Sequence, residues 1–266
     1  MANKEAKLKQ LMEELTEKDC CVAFSGGVDS SLLLKLAVDA SEKHDTKVTA
    51  VTFETALHPA ADLTFAKKSA KEMGAEHFVI FVNELDEPKI LNNPPERCYL
   101  CKRMLFEKLL DFAKSRGISL VMEGTNQEDE GQYRPGIKAV DELGIRSPLR
   151  ETGFSKREVR LLAAELGVPA ADRPSAPCLA TRLPYGTRID PALLKRIDIG
   201  ERFIKNLGFR NVRLRLHGDI VRLEVDRADF PLLLQRNGQI CSRLKKEGFK
   251  YITLDMEGFR SGSMDE

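Results

Sequence analysis

The chain has 266 residues, with 42 lysines and arginines against 41 acids and a formal net charge of +1; this balance lacks the positive excess that general nucleic-acid binding favours. No stretch approaches the ~20 consecutive apolar residues that span a bilayer, and the charged opening residues 1–10 hold no leader-like apolar segment. The length suits one large core plus a smaller unit, and a cytoplasmic protein is expected, in which the six cysteines serve as thiols, metal ligands or catalysts before disulfides.

Residues 4–17 read as an amphipathic helix with Leu8, Leu11, Met12 and Leu15 on one face. The uncharged run Cys20 to Phe24 reads as a buried strand. It ends at Ser25-Gly26-Gly27, and Val28 to Ala40 restarts at helical spacing. Lys47 to Phe53 is a second strand, Ala60 to Met73 a helix stopped by Gly74, and His77 to Val82 a third strand. Strands alternating with helices predict an α/β fold: a parallel sheet with right-handed crossovers and helices on both faces.

Residues 83–97 carry Pro88, Pro94 and Pro95 and are expected to be irregular. A helix then opens at Cys98 and runs to Gly117. Ile118 to Met122 is a further strand, ending at Glu123-Gly124-Thr125-Asn126. Ligands of open α/β sheets gather at the carboxyl ends of strands, so this turn is expected beside Ser25 to Gly27. A polar loop over 129–136 precedes a short helix, and the capping box Ser155-Lys-Arg-Glu158 starts another that Gly167 ends. Four prolines between 168 and 186 suggest a boundary, giving an expected domain of 1–170 and a C-terminal α+β domain of 171–266. In the latter, Pro191 to Leu207 is helical, Asn211–Leu216 and Ile220–Val225 form a hairpin, Ala228 to Lys246 is helical with a break at Asn237-Gly238, and Tyr251 to Asp255 completes a small sheet.

The stretch Ser25-Gly-Gly-Val-Asp-Ser30 has the chemistry of a phosphate cradle. Its glycines let backbone amides approach a ligand at the positive end of a helix. No lysine follows the glycines, so it is not a Walker loop. It resembles the pyrophosphatase loop of enzymes that split ATP into AMP and pyrophosphate. That resemblance places Ser25, Gly26, Gly27 and Ser30 on the leaving pyrophosphate and Asp29 near magnesium-bound phosphates.

Cys98 and Cys101 sit one turn apart at a helix start, and Cys178 lies in the proline-framed segment 174–186. Read alone, the pair fits a redox couple or half a zinc site. Cys20, Cys21 and Cys241 lie in apolar patterns and are expected to be buried and inert. On the hairpin, Arg213, Arg215 and His217 share one face with Arg222 and Glu224 opposite. That face suits a phosphate or a solvated surface.

Together Ser25–Ser30, Arg97-Cys-Tyr-Leu-Cys-Lys102, Tyr133-Arg-Pro-Gly136, Pro177 to Gly186 and Val212-Arg-Leu-Arg215 resemble the LarE family, across nearly the whole chain. The resemblance implies a PP-loop ATP-pyrophosphatase fold and a sulfurtransferase of nickel-pincer cofactor synthesis. Such an enzyme adenylates the carboxylates of pyridinium-3,5-dicarboxylate mononucleotide with ATP and Mg2+ and converts them to thiocarboxylates. It further implies the branch whose three cysteines, here Cys98, Cys101 and Cys178, ligate a 4Fe-4S cluster, rather than the branch in which one cysteine, here Cys178, gives up its own sulfur. Gly124 joins the nucleotide site. Arg213 and Arg215 are carried to the substrate phosphate, Glu224 and Asp229 to a second metal, and Lys102 and Arg182 to charge on the adenylate or cluster. Sulfide or another sulfur donor and a homo-oligomer are expected as partners, with no membrane and no nucleic acid. The alternatives are a tRNA-thiolating enzyme of the same loop class, an ammonia-using ligase, disfavoured because no glutaminase domain accompanies the loop, and a nucleotide-binding iron or zinc sensor.

Overall fold

A computed structural model describes residues 2–131, 135–174, 177–260 and 262–264. The chain divides into two compact units. The first comprises Met1–Thr55, Ala60–Glu84 and Glu96–Ala176, and the second Ala56–Pro59, Leu85–Pro95 and Pro177–Glu266.

In the first unit, α1 (Ala2–Leu15) leads to β1 (Cys20–Ala23), α2 (Val28–Ser41), β2 (Val48–Thr55), α3 (Ala60–Glu72) and β3 (Glu76–Val82). These three strands and β4 (Leu120–Met122) form one parallel sheet in the order β3-β2-β1-β4. Beyond β4, Arg146 adds a single parallel bridge to Met122. The period-two alternation of β1 splits its side chains between two cores. Cys20 and Val22 pack with Leu8, Met12, the leucines of α2 and Val159 and Leu162; Cys21 packs with Val51, Phe106, Leu109 and Val140. Helices therefore cover both faces, as a buried parallel sheet requires.

One expectation is corrected within the second unit. The proline-rich stretch 83–97 is not irregular throughout: α4 (Pro88–Leu91) forms one helical turn, with Pro88 in the first turn and the Glu87 side chain capping the Lys89 amide at 3.1 Å. Proline there loses no bond, because a first-turn amide has no intrahelical partner.

α5 (Arg97–Ser115) precedes β4. α6 (Pro135–Glu142), α7 (Pro148–Glu151) and α8 (Lys156–Glu165) complete the first unit. The capping box is present at α8: Glu158 N donates to Ser155 Oγ at 3.2 Å, and Ser155 N donates to Glu158 Oε2 at 2.9 Å.

The main segment of the second unit opens on a 3-10 turn, Leu179–Arg182. α9 (Pro191–Asn206), β5 (Val212–His217), β6 (Ile220–Val225), α10 (Phe230–Gln235), α11 (Asn237–Lys246) and β7 (Tyr251–Leu254) follow. β5 and β6 are antiparallel, and β7 joins β6 in parallel. Leu194, Ile197 and Ile204 of α9 are buried, as are Leu214, Leu223 and Leu244.

Candidate active site

The loop after β1 is held by its own serines. Ser25 Oγ and Ser30 Oγ lie 3.0 Å apart, the Ser25 amide donates to Ser30 Oγ at 3.2 Å, and the Gly27 amide donates to Ser25 Oγ at 3.3 Å. Gly26 takes φ +73°, a region costly for residues with a Cβ. Its carbonyl accepts from Arg173 Nη1 at 3.1 Å, while Arg173 Nη2 donates to Asp62 at 2.5 Å and its guanidinium lies over Phe65. Ser25 stays exposed at the mouth of this turn.

The carboxyl end of β4 does lie against this loop. A Cβ on Gly124 would fall 2.8 Å from Ser30 N and 3.0 Å from the Asp29 carbonyl carbon. Only glycine lets the two backbones meet here. Beside it, buried Glu123 is a hub: it accepts from Thr125 N at 2.9 Å, Thr125 Oγ1 at 2.8 Å, Ser147 Oγ at 2.6 Å and Lys102 Nζ at 3.1 Å. Burial alone would raise this carboxyl. The Lys102 charge and these bonds outweigh it and hold Glu123 below the ordinary carboxylate range. Lys102 thus emerges from α5 tied to the nucleotide-side turn.

Asp29, on the first turn of α2, takes Asn126 Nδ2 at 3.2 Å on one oxygen and the Lys156 ammonium on the other. The sequence reading noted Asn126 only as part of a turn and Lys156 only as part of a helix start.

Cys98 is exposed and Cys101 half-buried at the start of α5, in the first unit. Arg97 Nη2 lies 3.5 Å from Cys98 Sγ, and Cys101 Sγ points at Glu84 Oε1 at 4.0 Å. Cys178, half-buried, belongs to the second unit. Cys20 and Cys21 are buried as expected. Cys241 is only half-buried on α11, because its helix presents that position at the edge of the apolar stripe; this corrects the inert-core expectation for it.

Within the second unit the carrier of Cys178 is clamped. Arg182 is 2% exposed and forms a two-pronged pair with Glu201 of α9, at 2.8 and 2.9 Å. Its Nη1 also donates to Thr181 Oγ1 at 2.8 Å and to the Pro177 and Cys178 carbonyls at 3.3 Å. Arg215 donates to the Thr181 carbonyl at 2.8 Å and pairs with Glu224 at 3.2 Å. Glu224 is fully buried and also receives Arg222 at 3.1 Å and Ser263 Oγ at 2.6 Å.

The polar hairpin face is interior at Arg213, Arg215 and Glu224 and opens to solvent only towards the turn, where His217 is exposed. Arg213 stacks over Phe259 and donates to its neighbour's carbonyl. Burial, with the Arg182 charge second, brings its guanidinium down to about 10, still charged at neutral pH. Asp229 sits in the 3-10 turn before α10. Glu224 already satisfies two arginines, and among the described residues no three His, Cys, Asp or Glu side chains are grouped as metal ligands. Tyr133 and Arg134 of the resemblance lie outside the described residues.

Glu201 and Lys156 were missed as site residues. Glu201 is one acid in an amphipathic helix, and nothing in its spacing marks it as the partner of a residue nineteen positions earlier.

Residues 1–92 match the PP-loop domain family. The chain is 37% identical over all of its 266 residues, and 95% of the relative's length, to the pyridinium-3,5-bisthiocarboxylic acid mononucleotide synthase of Lactiplantibacillus plantarum. It is 37% identical to an uncharacterised protein of Synechocystis (98% of this chain, 97% of that one) and 31% identical to another of Methanocaldococcus jannaschii (96% of each). No helix among the described residues is long and apolar enough to cross a membrane.

Proposed function

The chain belongs to the LarE family of PP-loop proteins, and from that premise we propose that it is an ATP-dependent sulfurtransferase acting on pyridinium-3,5-dicarboxylate mononucleotide. A substrate carboxylate attacks the α-phosphorus of ATP, giving an acyl-adenylate and pyrophosphate. A sulfur nucleophile then displaces AMP and leaves a thiocarboxylate. The observation that carries this reading is 37% identity over the whole chain to a synthase of that product, joined to a lysine-free serine-glycine loop between β1 and α2.

The residues take roles that suit this chemistry. Ser25, Ser30 and the free amides of α2's first turn receive the pyrophosphate. Asp29 is the carboxylate at the phosphates, and Mg2+ is commonly held by one or two carboxylates plus substrate oxygens. Gly124 keeps the wall of that pocket thin. Arg213 and Arg215 keep their assignment to the substrate phosphate. Arg182 and Arg215 also fix the segment bearing Cys178, so each acts at least in part by positioning. Glu224 and Asp229 keep their assignment to a second metal, for which Glu224 would have to exchange its pairs with Arg215 and Arg222.

For the sulfur step we extend the proposal to Cys98, Cys101 and Cys178 as ligands of a 4Fe-4S cluster. The donor set fits: three thiols outside the core, none in a disulfide, of the soft type such clusters use. A cluster held by these three thiolates would supply the iron chemistry that delivers sulfide to the acyl-adenylate. Sulfide or another sulfur donor, a homo-oligomer and a cytoplasmic location complete the reading.

The decisive measurement is product analysis with ATP, Mg2+ and the pyridinium dicarboxylate mononucleotide. AMP and pyrophosphate are expected, and ADP plus phosphate without AMP would sink the assignment. Anaerobically reconstituted protein should hold about four irons and four sulfides, with Cys98→Ala or Cys101→Ala abolishing both cluster and repeated sulfur transfer. Loss of the Cys178 sulfur as dehydroalanine after one turnover would replace the cluster with the sacrificial route.

A further inference from the structure

The Ser25–Ser30 loop lacks the lysine that a Walker loop carries, yet pyrophosphate leaving from ATP builds negative charge at the amino end of α2. Helix amides offset only part of it. A cation is already present at that point, from another element.

Lys156 is the first residue of α8, and its ammonium is paired with the Asp29 carboxylate at the first turn of α2. Its backbone is fixed twice over. Ser155 caps the helix immediately before it, and the Lys156 amide donates to Glu128 Oε1 at 3.1 Å. Its side chain is about a third exposed (32%) and that of Asp29 less so (19%). A four-carbon stem on an anchored backbone can swing by several ångströms while its root stays put.

The pair is poorly explained as a stabilising device. Partly exposed ion pairs contribute little to folding, and Asp29 already has Asn126 as a partner at 3.2 Å. The location accounts for it better. Asp29 is the one acid in the first turn of α2, and unneutralised it would repel an incoming triphosphate.

We propose that Lys156 is the phosphate-binding cation of this loop, contacting the β- and γ-phosphoryl oxygens of ATP and balancing the charge that grows on the departing pyrophosphate. In this exchange the ammonium passes from the Asp29 carboxylate to the phosphates, leaving Asp29 to the cation that accompanies the nucleotide. The assignment rests on the ATP-to-AMP reading above.

The test uses the full chain, Mg-ATP and the pyridinium dicarboxylate mononucleotide. It follows pyrophosphate release and the inhibition of that release by added pyrophosphate and, separately, by added AMP. Lys156→Gln is expected to lower the rate constant of adenylation by about 10²-fold, the usual effect of removing one preorganised charge partner. It should also weaken inhibition by pyrophosphate at least about tenfold, with inhibition by AMP unchanged. Lys156→Arg should recover most of both. Lys35→Gln, on a surface pair with Asp39, should match the native protein.

A residue that only steadied Asp29 would alter the magnesium requirement and leave pyrophosphate inhibition where it was. That result, or native kinetics in Lys156→Gln, overturns the proposal while the ATP-to-AMP reading stands. If the native protein itself releases no pyrophosphate, the two fall together. Thermal melts within a degree or two of native separate any loss from misfolding, as expected for a partly exposed surface pair.

Discussion

Burial leaves Cys20 and Cys21 at 1% and 0% exposure and pushes both thiols up to about 12, so neither supplies thiolate at neutral pH. Cys98 is exposed. Brief alkylation of the folded protein followed by peptide mass mapping should label Cys98 first, Cys101 and Cys178 more slowly, and Cys20 and Cys21 only after unfolding. A label on Cys20 without denaturant would mean that β1 opens in the native state. The buried Arg182–Glu201 pair gives a second expectation. Removing one partner leaves the other charged, dry and unmatched, at a cost of about 3–5 kcal/mol. Arg182→Ala should therefore show that loss in a denaturant titration. Arg182→Lys should recover only part, since one ammonium cannot reproduce the fork onto Glu201 together with the Thr181 and Cys178 contacts. A loss under about 1 kcal/mol would show that the clamp is dispensable. Both arginines of this clamp were visible in the sequence as charge. Their burial was not: alternation along β5 tells which residues share the Arg215 face and not what covers it, and Arg182 lies in a 3-10 turn with no alternation to read.

Gly124, at the junction of β4 and α2, and Gly200, on α9, have similar crowding and should behave differently. An alanine Cβ at Gly124 would press on the backbone of Asp29 and Ser30, whereas at Gly200 it would meet Leu214 Cδ1 at 2.7 Å and Leu244 Cδ2 at 2.8 Å, the ends of side chains that can turn. Gly124→Ala should displace the first turn of α2, costing about 1–3 kcal/mol and weakening ATP binding at least about tenfold. Gly200→Ala should cost no more in stability and leave ATP binding intact, as calorimetric titration would show; equal ATP affinities in the two variants would refute the close-approach argument. The elements themselves were legible because their periods are clean: β1 through α3 and the hairpin fall within a residue or two of expectation. The stretch 83–97 was misjudged because prolines were counted as breakers, when Pro88 occupies the first turn of α4, where it breaks nothing. Lys156 was legible only as part of a helix start. That its side chain reaches Asp29, 127 positions earlier, depends on the packing of α8 and α2 in the folded sheet.

The second unit gathers three stretches of chain, which no local pattern announces, and its seam is where Asn93 sits. Asn93 is fully buried at φ +49°. Its Nδ2 donates to the Leu183 and Pro184 carbonyls at 3.2 and 2.8 Å, and its own carbonyl accepts the Gly186 amide at 3.0 Å. Nearby, the Ile189 amide donates to the Leu91 carbonyl and the Leu179 amide to that of Leu57. A left-handed conformation and an amide donor are both needed at this position, and asparagine supplies both. Three substitutions separate the two requirements. Asn93→Gly keeps the backbone conformation and loses the donor, costing about 1–3 kcal/mol for carbonyls left short of a partner. Asn93→Ala adds about 1–2 kcal/mol of left-handed strain. Asn93→Asp should be the most damaging, since a carboxylate would face two carbonyl oxygens that need a donor. The expected order of denaturation midpoints is native, glycine, alanine, aspartate. Faster amide exchange at Gly186 and Ile189 should accompany the loss, since their donors close this same seam. An alanine variant as stable as the glycine one would remove the backbone from the explanation, and an aspartate variant near native would remove the side chain.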